Sequence, residues 1–234
     1  MIDTKFLNSP YLDYANQELN WLPADTEQLY KKNLRKKREI LEKYGWIDRS
    51  FTYKFNSHGF RCEEFDNSQD SVIFLGCSIT IGIGLPYEKT WAYRVAKHLR
   101  LRNYNLGIGG SGLDTSFRMA FRYIPFLKPK KVILLEPPPY RFELFSKDSV
   151  TFYGSWDPSS QFKAFMANEA NYALNREKNL IAISHICLEN NIDFHHFRVD
   201  DLNMSKEDYA RDLMHFGIRY NKELAIKITN MLQG

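Results

Sequence analysis

Residues 72–80 read Val-Ile-Phe-Leu-Gly-Cys-Ser-Ile-Thr, an apolar run that ends in a Gly-x-Ser turn. Such a run is a buried strand, and the glycine two places before Ser78 permits the tight turn that presents a hydroxyl at the strand's C-terminal edge. Far downstream stands Asp212-Leu-Met-His215, a carboxylate and an imidazole spaced to arrive on one short loop. Hydroxyl, imidazole and carboxylate are nucleophile, base and orienting acid, the minimum for acyl transfer. Between them lies Asn105-Leu-Gly-Ile-Gly-Gly-Ser-Gly112, a second strand running into a glycine turn. One backbone N–H there, that of Gly110, is placed to meet an oxyanion beside Ser78.

Each segment also has a plainer reading. A serine after a strand commonly caps a turn, and an isolated Asp-x-x-His is a frequent surface pair. The chain carries a second copy, Asp193-Phe-His-His196, inside a predicted strand, where residues three apart face opposite sides and should not pair. His195 and His196 read as core and cleft-rim residues, since no carboxylate or cysteine ligand set surrounds them. Gly107-x-Gly109-x-x-Gly112 matches the dinucleotide fingerprint, with Glu136 at the end of the next strand. A nucleotide-binding reading follows, although that fingerprint normally follows the first strand of its sheet.

The elements that must position these residues alternate. Strand 72–76 precedes a helix near 88–101, strand 103–108 a helix near 113–124, and strand 131–136 ends at Pro137-Pro138-Pro139. A segment rich in aromatics, 140–165, leads into a helix near 166–190, then strand 192–199 and a last helix near 217–232. Short apolar strands alternating with helices predict a parallel sheet covered on both faces, with ligands beyond the C-terminal strand edges. Ser78, the glycines after 106 and Glu136 all fall on that edge.

Residues 1–50 differ in texture. An irregular stretch with Tyr11, Tyr14, Trp21 and Pro23 precedes a helix expected from Thr26 to Tyr44, capped by Asp25 or Thr26 and stopped by Gly45. Tyr30, Leu34, Leu41 and Tyr44 recur at helical spacing, so one face docks on something. The basic run Lys31–Arg38 reads as a solvated helix surface. A short strand over 51–55 follows.

The 234 residues are 44% apolar, enough for a full core, with 17 Phe and 14 Tyr. A net charge of only +4 calls for no acidic polymer, so nucleic acid is not the expected partner. Three scattered cysteines without a CxxC argue against a disulfide framework. The N-terminus lacks the basic start and apolar run of a signal peptide, and no apolar stretch is long enough to cross a membrane. The expectation is a soluble cytoplasmic protein.

Taken together, the blocks around Ser78, Asn105–Gly110 and Asp212–His215 resemble the SGNH (GDSL-like) hydrolase superfamily in order and spacing. Tyr53-Lys-Phe-Asn56-Ser-His-Gly59-Phe-Arg61 is similar to the lead-in of some members. The resemblance covers residues 51–234 and leaves 1–50 as a separate arm and docking helix. It implies a flavodoxin-like three-layer α/β/α fold with a parallel sheet of four to five strands, and ester hydrolysis without metal or organic cofactor. Carried over by position, Ser78 is the nucleophile, His215 the base, Asp212 its orienting acid, and the N–H groups of Ser78 and Gly110 are oxyanion donors.

Two departures stand out. Cys77 replaces the family's Asp before the serine, a position outside the triad. The third block should supply an Asn as a further oxyanion donor, but here the strand runs into Glu136-Pro-Pro-Pro-Tyr140-Arg141. Losing such a donor costs ~10²–10³ in turnover, and Arg141, or the Tyr140 hydroxyl, is the expected substitute. The leading reading is a serine esterase, with O-acetyl groups on carbohydrate as the substrate that family habit implies. The missing Asn, with an N-terminal arm suited to a protein partner, gives a second reading, an SGNH-fold protein of low activity kept for binding or assembly. A likeness to phage-encoded members extends that reading to a virion component.

Overall fold

The computed structural model describes residues 4–66, 68–146, 149–154, 156, 168–204 and 208–233. Short 3-10 turns open the chain. β1 (Glu18–Leu19) then pairs antiparallel with β2 (Tyr53–Lys54), and α1 (Glu27–Lys36) and α2 (Arg38–Lys43) lie between them. The order continues as β3 (Ser71–Leu75), α3 (Ser78–Ile81), α4 (Trp91–Leu99), β4 (Arg102–Asn105), α5 (Leu113–Leu127) and β5 (Lys131–Leu135). It ends with β6 (Phe142–Phe145), β7 (Val150–Tyr153), α6 (Glu169–Glu189), β8 (Asp193–Phe197) and α7 (Ile218–Met231).

The main sheet has four parallel strands in the order β4-β3-β5-β8. The continuous apolar sequences of β3 and β5 follow from burial on both faces. Alternate residues serve opposite layers. Ile73, Leu75, Val132 and Leu134 join Met119, Ile124 and Ile183 from α5 and α6. Val72, Phe74, Ile133 and Leu135 meet Trp91 and Val95 of α4, and Tyr220, Leu224 and Ile228 of α7. This is the three-layer α/β/α architecture, with four strands in its sheet.

Three local departures from the sequence reading have physical causes. The expected helix 26–44 breaks at Lys37 (φ −141°) into α1 and α2. The break lets Leu41 and Trp46 close on Leu85 and Ala210 in a separate buried cluster. Thr26 supplies the cap, its hydroxyl accepting the Leu29 N–H, because Asp25 is engaged elsewhere. In the 140–165 segment β6 and β7 form an antiparallel hairpin; 147, 148, 155 and 157–167 lie outside the described residues. α5 runs on through Pro125 to Leu127, its last turn held by buried Ile124 and Leu127.

Candidate active site

Pairing between β3 and β4 continues past the regular strands. Leu106 N–H donates to the Phe74 carbonyl (2.9 Å) and Ile108 N–H to the Gly76 carbonyl (3.0 Å). These two bonds lay the glycine turn of 107–112 beside the Ser78 turn. Gly76 has φ +145°, and a side chain there would run into the Thr80 hydroxyl and come within 2.6 Å of the Leu135 carbonyl oxygen. Only glycine fits. Ser78 is therefore the first residue of α3, at the C-terminal edge of the sheet, and its N–H has no backbone acceptor among the described residues. The same is true of Gly110 N–H, held at φ +75°.

Asp212 and His215 do pair. Asp212 Oδ2 meets His215 Nδ1 at 2.5 Å, and Asp212 Oδ1 accepts the N–H groups of Met214 and His215, each at 3.0 Å. The turn places Leu213 at φ +57°, an uncommon conformation for a bulky side chain. A proton on Nδ1 shared with Asp212 leaves the Nε2 lone pair available as a base. Ser78, Gly109, Gly110, Arg141, Trp156 and His215 line one cleft of about 540 Å³. Among the described residues no hydrogen bond joins Ser78 Oγ to His215, and the hydroxyl's contact is Cys77 Sγ at 4.0 Å. In unliganded sites such bonds are often long and tighten on substrate binding. A larger cleft, about 770 Å³, lies between Lys54–Asn56 and Pro86–Lys89 and contains none of these residues.

The other sequence candidates divide. Tyr140, at φ +60°, packs its ring on Tyr172 (5.1 Å between centroids), whereas Arg141 reaches the cleft. Glu136, at the strand end where the third-block Asn was sought, is committed elsewhere. It forms a two-armed ion pair with Arg176 (2.7 and 2.8 Å) and meets His196 Nδ1 at 2.9 Å. That pairing leaves no free carboxylate for a ribose. The fingerprint glycines are also consumed by packing: a side chain at Gly107 would lie 2.7 Å from Ile81 N, and one at Gly112 2.8 Å from the Arg141 carbonyl carbon. The nucleotide reading thus loses both its acid and its cradle. Asp193 sits against Lys131 and His195, not His196.

Residues 1–50, read from sequence as an arm and docking helix, dock on the Asp212–His215 loop. Asn33 of α1 donates its amide to the Asp212 carbonyl (3.1 Å) and Trp46 Nε1 to the Tyr209 carbonyl (2.8 Å). Arg211 is buried against Asp25 (2.7 Å) and lies 4.0 Å from the centroids of both the Trp21 and Phe51 rings. Tyr53 bridges Asp25 (2.5 Å) and Gly84 N–H (2.8 Å), and Arg211 N–H donates to the Gly84 carbonyl. Tyr11 accepts the Gly109 N–H at 2.9 Å, and burial pushes its own pKa up to about 12, so it sits in the cleft as a neutral hydroxyl. Asp208 accepts the Arg219 and Tyr220 N–H groups and so caps α7 from outside it. None of these supporting roles has a local sequence pattern except Arg211, which adjoins Asp212.

No protein-family model matches this chain, and no curated protein does. Solved structures do. A putative lipolytic protein of the G-D-S-L family from Desulfitobacterium hafniense DCB-2 is 11% identical over 69% of this chain and 98% of its own, with a TM-score of 0.40. TesA is 15% identical over 70% and 98%, also with a TM-score of 0.40. A GDSL-like lipase from Bacteroides thetaiotaomicron VPI-5482 is 14% identical over 70% and 88%, with a TM-score of 0.34. At such distances the likenesses are silent about activity, and the chemistry rests on this chain's own residues.

Proposed function

We propose that the protein is a serine ester hydrolase. The observation that carries this reading is the Asp212–His215 pair opening onto the same cleft as Ser78, with the unpaired N–H groups of Ser78 and Gly110 on the adjoining turns. His215 Nε2 takes the Ser78 Oγ proton as the oxygen attacks the ester carbonyl carbon. The two N–H groups hold the resulting oxyanion. The alkoxide leaves with the proton from His215, giving an acyl-Ser78. Water, deprotonated by the same imidazole, then releases the acid and restores Ser78. Asp212 keeps the imidazole in the useful tautomer and stabilises its cation. Acetyl esters of carbohydrates fit an open cleft with an exposed indole at its wall.

A fluorophosphonate probe tests the reading. It should label the parent and not Ser78→Ala, and acetyl-ester turnover should vanish in both Ser78→Ala and His215→Ala. Labelling absent from the parent would instead favour a binding or assembly protein. The observation behind that second reading is Glu136 at the third-block position, a carboxylate that accepts from Arg176 and offers an oxyanion no donor.

A further inference from the structure

The three buried arginines among the described residues are matched, whereas Arg141, partly buried at the cleft, is not. Arg118 makes a two-armed pair with buried Glu143 (2.8 and 2.7 Å), and Arg211 pairs with Asp25. Arg61 donates to the carbonyls of Ile81, Gly82 and Leu85. Among the described residues Arg141 bonds neither a carboxylate nor a carbonyl, and its Nη1 is shielded from solvent without a hydrogen-bond partner. Leaving such a group unmet is costly, which favours a ligand that brings an acceptor to this guanidinium.

What surrounds Arg141 says which acceptor. It carries the one fixed charge among the described lining residues of the Ser78 cleft, none of which is Asp or Glu. Its guanidinium lies over the Trp156 indole, 5.1 Å from the ring centroid. Trp156 is half exposed and stands beside Gly110, the turn assigned to the oxyanion. The backbone position is held as well: Gly112 admits the Arg141 carbonyl where any side chain would collide with it, and Tyr140 before it is locked at φ +60°. A rigid planar cation with an adjoining aromatic face is a site for a carboxylate borne on a flat or ring-shaped group.

We infer that Arg141 and Trp156 form a carboxylate-binding subsite and that the substrates are esters carrying a carboxylate, an assignment that rests on the esterase reading above. Arg141 then contributes to which ester is taken and is not the third oxyanion donor. The two roles separate kinetically, because an oxyanion donor acts on every ester alike, whereas a subsite acts only on those with the matching group.

Two matched pairs place the carboxylate on either side of the ester: para-acetoxybenzoate against para-acetoxybenzamide, and mono-para-nitrophenyl glutarate against para-nitrophenyl pentanoate. The parent should favour the acid in at least one pair by about 10- to 100-fold in kcat/KM, as a charge-assisted contact supplies. Arg141→Ala should abolish that preference and Arg141→Lys restore part of it. Equal rates within both pairs for the parent, or an Arg141→Ala loss shared equally by acid and neutral partner, would overturn the subsite. Calorimetry with para-hydroxybenzoate and its amide on Ser78→Ala protein keeps the two readings apart. Acid binding that Arg141→Ala removes supports the subsite even where no ester is turned over, and its absence there overturns it.

Discussion

Asp212 uses its two oxygens for different tasks, one to orient the imidazole and one to close the turn that carries it. Asp212→Asn keeps an acceptor for the Met214 and His215 N–H groups but favours the wrong tautomer of His215. Turnover should fall by about 10⁴-fold with the circular dichroism spectrum unchanged. A variant within tenfold of the parent would remove Asp212 from the triad. Gly76 is the second residue whose type is dictated by geometry, since its φ of +145° and its contacts with Thr80 and Leu135 exclude a Cβ. Gly76→Ala should lower unfolding free energy by about 2 kcal/mol or more in urea titrations.

At the level of elements, the N-terminal helices act as a splint for the Asp212–His215 loop. Asn33→Ala removes one bond to the Asp212 carbonyl, so we expect about 1 kcal/mol of lost stability and a fall in kcat that exceeds any change in KM. Asp25→Ala is harsher, because it strands the Arg211 guanidinium between Trp21 and Phe51. A loss of about 3–5 kcal/mol should appear in thermal unfolding. For the same reason a fragment of residues 51–234 should not fold as a unit. It would expose Leu85 and Ala210 and leave Arg211 unpaired. A sharp melting transition in that fragment would restore the boundary near residue 50 that the sequence texture suggested.

Across the whole molecule, many tyrosines are built into cores and hydrogen-bond networks, and their ionisation links stability to pH. Burial raises Tyr11 to about 12, and burial with the Asp66 bond raises Tyr104 to about 12, against 10 in the unfolded chain. Burial also raises Tyr53. Their contribution is full below pH 10 and is lost as pH climbs from 10 toward 12, where the unfolded chain ionises first. Melting temperature should therefore decline between about pH 10 and 12. Tyr104→Phe should flatten the decline. An unchanged melting temperature up to pH 11 would contradict it.

The sheet, its covering helices and the two candidate segments were legible because their signals are local. Continuous apolar runs mark β3 and β5, helical spacing marks α4 to α7, and glycines mark the turns where a Cβ would collide. Asp-x-x-His could be read as a pair because three residues span a single turn. What the chain could not disclose by itself was who holds whom. Asn33 and Asp212 are 179 positions apart, and Arg211 and Asp25 are 186 apart. A buried polar group's partner depends on where two surfaces meet, not on its neighbours in sequence. So the docking helix of residues 1–50 was legible from its apolar stripe, while the loop it docks on was not. Glu136 failed as a ligand acid for the same reason, since Arg176 and His196 come from a helix and a strand formed far downstream. The identities of Ser78, Asp212 and His215 as candidate chemistry were set by residue type and spacing. Their arrival at one cleft, beside an arginine that lies over Trp156, was decided by tertiary packing, because only the folded sheet edge brings those turns together.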